Sequence, residues 1–423
     1  MLNLNYIREN ADLVVERLKV KNFDAQTLVA QVIEKDKERR EIQNSTDSLQ
    51  AEMNQLSKSI GMLFKEGKQE EANKAKAKTG ELKEQIKDFS QKSTDVISEL
   101  NNLLVQLPNL PHESVPEGKG ADDNKEVKGA GKIPEFAFKA QPHWELAEKY
   151  DLIDFELGNK ITGAGFPVYK GKGAKLQRAL INFFLDENEK AGYLEVQPPI
   201  MVNEDSGFGT GQLPDKEGQM YHVTGDNLYL IPTAEVPVTN IYRDVILNEN
   251  DFPVKNTAYT LCFRREAGSY GKDVRGLNRL HQFDKVEIVQ LRKPENSYEA
   301  LQEMVDHVEQ LLIKLELPYR ILQLCGGDMS FTSALTFDFE VYSAAQERWL
   351  EVSSVSNFED YQANRLKLRY KSKETKKTVQ AHTLNGSALA LPRIVAALLE
   401  NNQTENGIKI PAAVAKYTGF ESI

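Results

Sequence analysis

The chain has 423 residues, of which 40% are hydrophobic and 27% are charged, and its formal net charge is −10. This length predicts two or three domains, each able to bury its own core. The acidic balance argues against a protein that coats nucleic acid non-specifically, but it leaves room for a local basic patch, because salt screens charge beyond about 10 Å.

The N-terminus, MLNLNYIREN, lacks the apolar core of a signal peptide, and no apolar run reaches the length of about 18 residues that a membrane span needs. The two cysteines, Cys262 and Cys325, form no metal-binding pattern and are predicted to be free thiols in a reducing compartment. These features predict a cytoplasmic protein without a membrane partner.

A heptad pattern of mostly apolar residues runs from about 28 to 63, and a second one runs from 75 to 107. Each pattern is long enough to predict a coiled-coil helix. The short connection around Gly61 and Gly67 requires the two helices to run antiparallel as a hairpin. At 1.5 Å per residue each arm is roughly 50 Å long, so the hairpin is predicted to project into solvent.

The tip and second helix of this hairpin are rich in lysine, with glutamates between the lysines. One interpretation is a solvated, ion-paired surface. The other is a weak basic face for a phosphate backbone. The residue pattern alone leaves both interpretations open.

Residues 109–134 are rich in Pro, Gly and charge, and they are predicted to be a linker. It would separate an N-terminal domain, residues 1–108 with the coiled-coil arm at about 28–107, from a C-terminal domain, residues 135–423. The patterns in the second domain are helical near 142–151, 173–191, 296–315 and 386–401, and strand-like at 228–231, 257–263, 284–291, 335–341, 347–353 and 366–370. Their irregular order predicts an α+β fold with a mainly antiparallel sheet flanked by helices.

The stretch FRREAGSYGKDVRGLNRLHQF, residues 263–283, concentrates arginines between two strand-like runs. On one strand Arg264 and Glu266 share a face, on the antiparallel strand Arg279 and Phe283 share a face, and all four side chains are predicted to lie on the same side of the pair. Guanidinium groups bind phosphates or carboxylates through a planar fork, and a ring beside an arginine can stack on a purine. From the residues alone, an anion site and an ordinary amphipathic hairpin with surface ion pairs both remain open.

In the longer form FRREAGSYGKDVRGLNRLHQFDKVE, this stretch resembles motif 2 of the class II aminoacyl-tRNA synthetases and specifically that of the seryl-tRNA synthetase family. GYLEVQPPIMV (192–202) is similar to motif 1 at the dimer interface, and HTLNGSALALPRIVAALLE (382–400) to motif 3. GTGQLP (209–214), LIPTAEVPVTN (230–240) and EVSSVSNFEDYQANRLKLRY (351–370) resemble the family's substrate and nucleotide segments. The heptad hairpin resembles its tRNA-binding arm.

The resemblance implies that Arg264 grips the α-phosphate of ATP and the serine carboxylate, and that Glu266 accepts from the adenine amino group. Phe283 and Arg393 would sandwich the adenine, and Arg279 would contact the outer phosphates. The implied catalytic residues are Arg264 and Arg393. The implied ATP-binding residues are Arg264, Arg265, Glu266, Arg279, Phe283, Glu351, Val352, Ser353, Ser354 and Arg393.

The resemblance also implies a Mg²⁺ site and a serine pocket. Glu351 and Ser354 would hold the metal, since Mg²⁺ prefers oxygen ligands. The implied L-serine residues are Thr233, Ala234, Glu235, Arg264, Glu287, Asn385 and Ser387. No general base is assigned, and His281 is interpreted as structural rather than catalytic.

The activity implied by the resemblance is that of an ATP-dependent serine–tRNA ligase. Such an enzyme forms seryl-adenylate and pyrophosphate, then transfers serine to the 3′ end of serine tRNA; selenocysteine tRNA is an open second substrate. The tRNA partner would be bound through its long variable arm and its acceptor end, with Lys272 and Arg275 expected at the tRNA. A homodimer is also implied.

The sequence disfavours three other interpretations. The long arm disfavours a ligase that charges a carrier protein. A non-catalytic paralogue is disfavoured because Arg264, Glu266, Glu287, Glu351 and Arg393 are all present. The TAE and LNGS segments disfavour a different class II synthetase. Residues 158–180 depart from the family pattern, which is expected to affect packing or the interface rather than ATP binding; Arg265, often serine in relatives, is expected to be tolerated.

Overall fold

The computed structural model describes residues 1–266 and 275–423, which fall into two units. The N-terminal unit comprises Met1–Lys19 and Phe23–Pro108, and the C-terminal unit comprises Val20–Asn22 and Asn109–Ile423. Within the described ranges, no helix combines the length and the apolar character that crossing a membrane requires.

The N-terminal unit is helical, and its main feature is the expected long hairpin. Its helices are α1 Leu4–Glu9, α2 Ala11–Lys19, α3 Gln26–Lys65 and α4 Gln69–Leu104. Several buried residues of α3 and α4 lie on the predicted heptad positions, for example Val32 and Leu82, whereas Val29, Asp36 and Leu104 are buried one position beyond the predicted residue. Gly67 forms the turn with φ +75°, a conformation that favours glycine. Gly61, expected at the turn, lies inside α3.

A buried carboxylate lies at the start of the hairpin. Asp36 on α3 accepts from Arg8 Nη1 at 3.3 Å, Arg39 Nη2 at 2.7 Å and Arg40 Nε at 3.0 Å. Burial would raise the pKa of Asp36, but the arginines hold that pKa below its usual value. The heptad pattern gave no sign of this carboxylate, because an acid is not expected among seam residues.

The C-terminal unit combines strands and helices. Its strands are β1 Lys125–Ala130, β2 Ile153–Asp154, β3 Val168–Tyr169, β4 Leu194–Glu195, β5 Met201–Asn203, β6 His222–Val223, β7 Leu228–Leu230, β8 Ile246–Asn248, β9 Val254–Phe263, β10 Gln282–Arg292, β11 Tyr319–Gln323, β12 Leu335–Ser343, β13 Arg348–Asn357, β14 Arg369–Lys371, β15 Thr378–Gln380, β16 His382–Ala390, β17 Gln403–Thr404 and β18 Gly407–Ile408. Its helices are α5 His143–Lys149, α6 Phe155–Ile161, α7 Gly171–Lys190, α8 Glu204–Thr210, α9 Glu235–Asn240, α10 Ser297–Lys314, α11 Tyr361–Leu366, α12 Leu391–Asn401 and α13 Ala412–Thr418.

The main sheet has the strand order β1-β11-β12-β13-β16-β10-β9-β4. Neighbouring strands are antiparallel, except that β4 is parallel to β9. Helices α7, α10 and α12 supply apolar side chains to one core with the sheet, including Phe183, Leu312 and Leu398. The prediction of an α+β fold with a mainly antiparallel sheet flanked by helices is confirmed.

Three predicted segments differ in the structure, and the first is the strand expected at 366–370, where α11 ends at Leu366 and the strand spans only Arg369–Lys371. Residues 386–390 were expected in a helix but belong to β16, and α12 begins at Leu391 with proline in its first turn. The strand HTLNGSALA is buried on both faces, so it lacks the alternation that identifies a strand. Residues 109–134 were expected to be a linker, but they belong to the C-terminal unit and contain β1, paired with β11. Every side chain of this edge strand is exposed, which removes any apolar signal.

Candidate active site

The two strands of the arginine-rich stretch form one ladder. Cys262 on β9 lies opposite Phe283 on β10. Arg264 follows β9, and its backbone N–H donates to the His281 carbonyl at 2.9 Å. Its Nε donates to the Pro232 carbonyl at 3.3 Å, and its guanidinium lies 5.3 Å from the centre of the Phe283 ring. The structure thus brings together an arginine and an aromatic ring that the sequence placed on the same site.

The residues that follow Arg264 leave the sheet. The Arg265 N–H donates to the Gln219 carbonyl at 2.9 Å, and its side chain is exposed. Glu266 has φ +47° and its carboxylate lies 3.2 Å from Nη1 of Arg279. Two groups expected at opposite ends of ATP are therefore an ion pair in this structure.

The predicted tRNA-contacting residues are only partly covered by the structure. Lys272 lies outside the described residues. The guanidinium of Arg275 lies 4.8 Å from the centre of the Trp144 ring, at the start of α5. Contact of either residue with tRNA stays a prediction.

His281 has the contacts of a structural residue. Its Nδ1 and the Tyr221 hydroxyl are 2.7 Å apart, and its ring stacks on Phe166 with centroids at 5.5 Å. Its backbone N–H donates to the Gly165 carbonyl at 2.9 Å. Residues 165–166 lie in the segment that is expected to depart from the family pattern. This segment contacts His281, whose carbonyl accepts from the Arg264 backbone N–H.

Arg393, in the first turn of α12, joins two parts of the site. Its Nε donates to the Asn278 carbonyl at 3.1 Å and its Nη1 to the Glu351 carbonyl at 2.6 Å. Val352 is buried and packs in the apolar core of the C-terminal unit. Ser353 is also buried and donates to the Ser387 carbonyl at 2.6 Å.

The residues expected to hold Mg²⁺ fit a divalent cation. Ser354 Oγ lies 3.5 Å from Glu351 Oε1. Asp338 on β12 is opposite Ser354 on β13, and its buried Oδ1 has no hydrogen-bond partner in the part of the chain that the structure describes. Burial, followed by the charge of Glu351, raises the pKa of Asp338 well above its usual value. Crowded carboxylates with an unsatisfied oxygen suit a hard cation.

The chain alone would not complete the coordination of this cation. Among residues 1–266 and 275–423, no three His, Cys, Asp or Glu side chains are grouped to hold a metal. The remaining ligands would be water and phosphate oxygens, as is usual for Mg²⁺. Asp338 is a residue that the sequence reasoning missed; its only signal was an acid within the apolar strand TFDFEVY.

A buried polar pocket lies beside Arg264, on the strand pair β9–β10. Lys285 Nζ lies 2.5 Å from Glu287 Oε2 and donates to Thr233 Oγ1 at 2.7 Å. Thr233 Oγ1 in turn donates to Glu287 Oε2 at 3.3 Å. Lys285 was not predicted as a site residue, although its alternation with Glu287 in DKVEIV was a signal that it faces the same side.

Glu235, at the start of α9, is a second buried carboxylate in this pocket. Burial first, and then the charge of Glu287, raises its pKa to about 7. Gln362 Nε2 donates to Glu235 Oε1 at 2.6 Å, and Gln362 Oε1 accepts from Thr383 Oγ1 at 2.7 Å. Neither Gln362 nor Thr383 was predicted from the sequence.

The other predicted serine residues complete the pocket or support it. The amide of Asn385 faces Glu235 and lowers the pKa of that carboxyl, and the geometry leaves its buried Nδ2 without a well-formed hydrogen bond among residues 1–266 and 275–423. Ser387 lies opposite Glu287 in the β10–β16 ladder. Ala234 is fully buried in a small apolar cluster. An unsatisfied donor beside two carboxylates is suited to a small polar ligand.

Comparisons with known proteins agree across the chain. Residues 1–111 match the model of the seryl-tRNA synthetase N-terminal domain, and residues 221–402 match the tRNA synthetase class II core domain (G, H, P, S and T). The serine–tRNA ligase of Salinibacter ruber is 51% identical over 100% of this chain and 99% of its own length.

Solved structures give the same result. The crystal structure of seryl-tRNA synthetase from Pyrococcus horikoshii complexed with ATP is 33% identical, with a TM-score of 0.92, over 100% of this chain and 99% of that chain. The cytoplasmic serine–tRNA ligase of Naegleria fowleri, in complex with AMP, is 26% identical with a TM-score of 0.88, over 100% and 98% of the two chains. The chain belongs to the seryl-tRNA synthetase family.

Proposed function

We propose that this chain is an ATP-dependent serine–tRNA ligase. It activates L-serine with ATP to seryl-adenylate and pyrophosphate, then transfers serine to the 3′ end of serine tRNA. The observation that carries the proposal is the buried pocket of Thr233, Lys285, Glu287 and Glu235 immediately beside Arg264. A ligand with an ammonium, a hydroxyl and a carboxylate matches this arrangement of charges.

In the first step, a serine carboxylate oxygen attacks the α-phosphorus of ATP, and the bond to pyrophosphate breaks. The reaction needs no protein nucleophile; it needs alignment of the reactants and neutralisation of phosphoryl charge. Arg264 would contact both reacting groups, and Phe283, whose ring centre lies 5.3 Å from its guanidinium, would offer the adenine a surface. Glu266, Arg279 and Arg393 would then exchange their present partners for ATP.

Glu351 and Ser354, with Asp338 beside them, would hold Mg²⁺, which when bound supplies positive charge to the phosphate oxygens. Arg265 and the backbone of residues 352–353 would line the nucleotide. These assignments follow the family pattern and are supported by the crowding of carboxylates around Asp338.

In the serine pocket, Glu235, Glu287 and Thr233 would bind the ammonium and the hydroxyl, with Asn385 and Ser387 closing the side-chain end. A site built to hydrogen-bond a hydroxyl rejects alanine, because buried polar groups would be left unpaired. Threonine would be excluded by the size of the pocket.

The titration of Glu235 gives the first prediction. A carboxyl with a pKa of about 7 keeps its proton at pH 6 and loses it at pH 8. Serine's ammonium requires the ionised form, so the KM for serine is expected to fall about tenfold from pH 6 to pH 8. Glu287 and Lys285 are the charged groups that face it.

Steady-state ATP–pyrophosphate exchange at several pH values measures this effect. In Glu235→Gln the KM for serine should be high and nearly independent of pH over the same range. The KM for ATP serves as the internal control and should show no matching change. A wild-type serine KM that stays constant between pH 6 and 8 would show that Glu235 does not titrate with serine binding.

The helical hairpin is proposed to bind the long variable arm of serine tRNA, by shape and backbone contacts typical of double-stranded RNA. A homodimer is proposed as well. Two apolar residues of the motif 1 segment support it, since Leu194 on the edge strand β4 is 67% exposed and Met201 is 48% exposed. A cytoplasmic location and charging of selenocysteine tRNA stay predictions.

The proposal as a whole is tested by charging serine tRNA with labelled serine, using a variant with a shortened arm. Replacing residues 45–93 by a short Gly-Ser turn retains the cluster around Asp36. Charging is expected to fall by at least about 100-fold, because the contacts that position the tRNA are lost, while serine-dependent exchange stays within about twofold of wild type.

The control is a variant in which Gln43 and Gln50 on α3 are changed to alanine and the lysines of α4 are kept. It alters the surface of the arm without shortening the arm. Full charging by the shortened protein would show that the hairpin does not bind tRNA. Absence of serine charging by the wild-type protein would contradict the proposed function itself.

A further inference from the structure

A buried carboxylate outside the predicted site is connected to it. Glu400, on α12, is fully buried, and four donors reach its two oxygens. Oε1 accepts from the His143 backbone N–H at 3.0 Å, from His143 Nδ1 at 2.7 Å and from Gln346 Nε2 at 3.1 Å. Oε2 accepts from the Ser343 hydroxyl. Burial would raise the pKa of Glu400, but these donors hold it below the usual value.

The first connection runs through His143. Its Nε2 accepts from the Leu277 backbone N–H at 2.8 Å. Because a backbone N–H can only donate, Nε2 carries no proton, and the ring proton is on Nδ1, where it is donated to Glu400. The fit is tight, since a Cβ at Gly276 would lie 2.2 Å from His143 Nε2.

The second connection runs through Gln346. Its Nε2 donates to Glu400, and its Oε1 accepts from Asn278 Nδ2 at 2.9 Å. Two adjacent residues, Leu277 and Asn278, are thus held by the same carboxylate. Both lie directly before Arg279.

The same hydrogen-bond network reaches Arg393, the second proposed catalytic arginine. The carbonyl of Asn278 accepts from Arg393 Nε at 3.1 Å, and Arg393 lies two helical turns before Glu400 on α12. The orientation of the Arg393 guanidinium therefore depends on where the Asn278 backbone is held.

We infer that Glu400 is a positioning residue for ATP, which fixes residues 277–278 through His143 and Gln346 and thereby sets the positions of Arg279 and Arg393. The inference rests on the proposed function, in which both arginines contact ATP. A purely structural network would contribute to stability but would not change the KM for ATP more than the KM for serine.

The test compares Glu400→Gln with Glu309→Gln in the full-length protein. Glutamine keeps the size of Glu400 but turns an amide N–H₂ towards its donors. Glu309 is a matched control: it is buried on α10, accepts from the Tyr319 hydroxyl and pairs with Lys128, away from residues 277–278. Active-site titration by the burst of adenylate corrects both variants for unfolded protein.

For Glu400→Gln we expect the KM for ATP in serine-dependent exchange to rise about tenfold or more, with the KM for serine within about threefold of wild type. Glu309→Gln should leave both KM values unchanged. Gln346→Ala, at a half-buried position, should also raise the KM for ATP, and it keeps the test valid if Glu400→Gln fails to fold. His143→Gln, which retains a donor and an acceptor, should be milder than His143→Ala.

Unchanged KM for ATP in both Glu400→Gln and Gln346→Ala would overturn the inference and leave a structural network. Equal increases in the KM for ATP and the KM for serine would overturn the inference as well. If the wild-type protein shows no serine-dependent exchange, the proposed function fails instead, so the two failures can be told apart.

Discussion

Arg264→Ala is expected to lower the rate of serine-dependent ATP–pyrophosphate exchange by about 10²- to 10³-fold. The side chain is half-buried, and its contacts are the Pro232 carbonyl and the Phe283 ring. In the proposed reaction it neutralises charge on the α-phosphate while holding the serine carboxylate. The loss should therefore be mainly in kcat, because the charge that Arg264 stabilises develops in the transition state.

Arg369→Ala is the matched control for this change. Arg369 on β14 is also half-buried, and its Nε also donates to a backbone carbonyl, that of Lys367 at 3.3 Å, but it lies in a separate small sheet. The exchange rate of Arg369→Ala should stay within about twofold of wild type. Arg264→Lys should recover only part of the loss, since an ammonium cannot form the planar fork. Comparable rates for the two alanine variants would exclude Arg264 from the chemistry.

Glu287→Gln is expected to raise the KM for serine by about 100-fold while the KM for ATP changes by less than about threefold. Glu287 is 2% exposed, and it accepts from Thr233 and pairs with Lys285 at 2.5 Å. The amide removes the charge that would balance the serine ammonium. A buried charge–hydrogen-bond pair is typically worth 2 to 5 kcal/mol, or about 30- to 4,000-fold in affinity.

The change also leaves Lys285 without its carboxylate partner, so the midpoint of thermal unfolding should fall. Kinetic constants are therefore referred to the number of active sites, and Glu309→Gln again provides the same chemical change at a distant buried carboxylate. If Glu287→Gln raised the KM for serine and the KM for ATP alike, the pocket around Glu287 would not be the serine site.

The features predictable from sequence were those with long periodicity or a specific motif. The hairpin of α3 and α4 follows from its heptads, and the β9–β10 pair follows from alternation on both sides of the arginine-rich stretch. The strand β16 was not predictable, because the small polar residues of HTLNGSALA are buried on both faces and give no period-two signal. Strand β1 was hidden for the opposite reason, its full exposure.

The partners within the site could not be read from the sequence. Gln362 meets Glu235 across 127 residues of chain, and His143 meets Glu400 across 257. Such contacts depend on the tertiary fold, which brings α9 next to α11 and α5 next to α12. The resemblance to the family identified residues such as Arg264 and Glu287, whereas the structure identifies the groups that hold such residues in place.

The most direct test of the central claim is the amino-acid dependence of ATP–pyrophosphate exchange by the wild-type protein with Mg²⁺. The amino acid is the only variable: serine, threonine and alanine are each titrated up to saturation. The proposed pocket predicts a kcat/KM for serine at least about 100-fold higher than that for alanine or threonine. Equal exchange with the three amino acids, or none with serine, would contradict it.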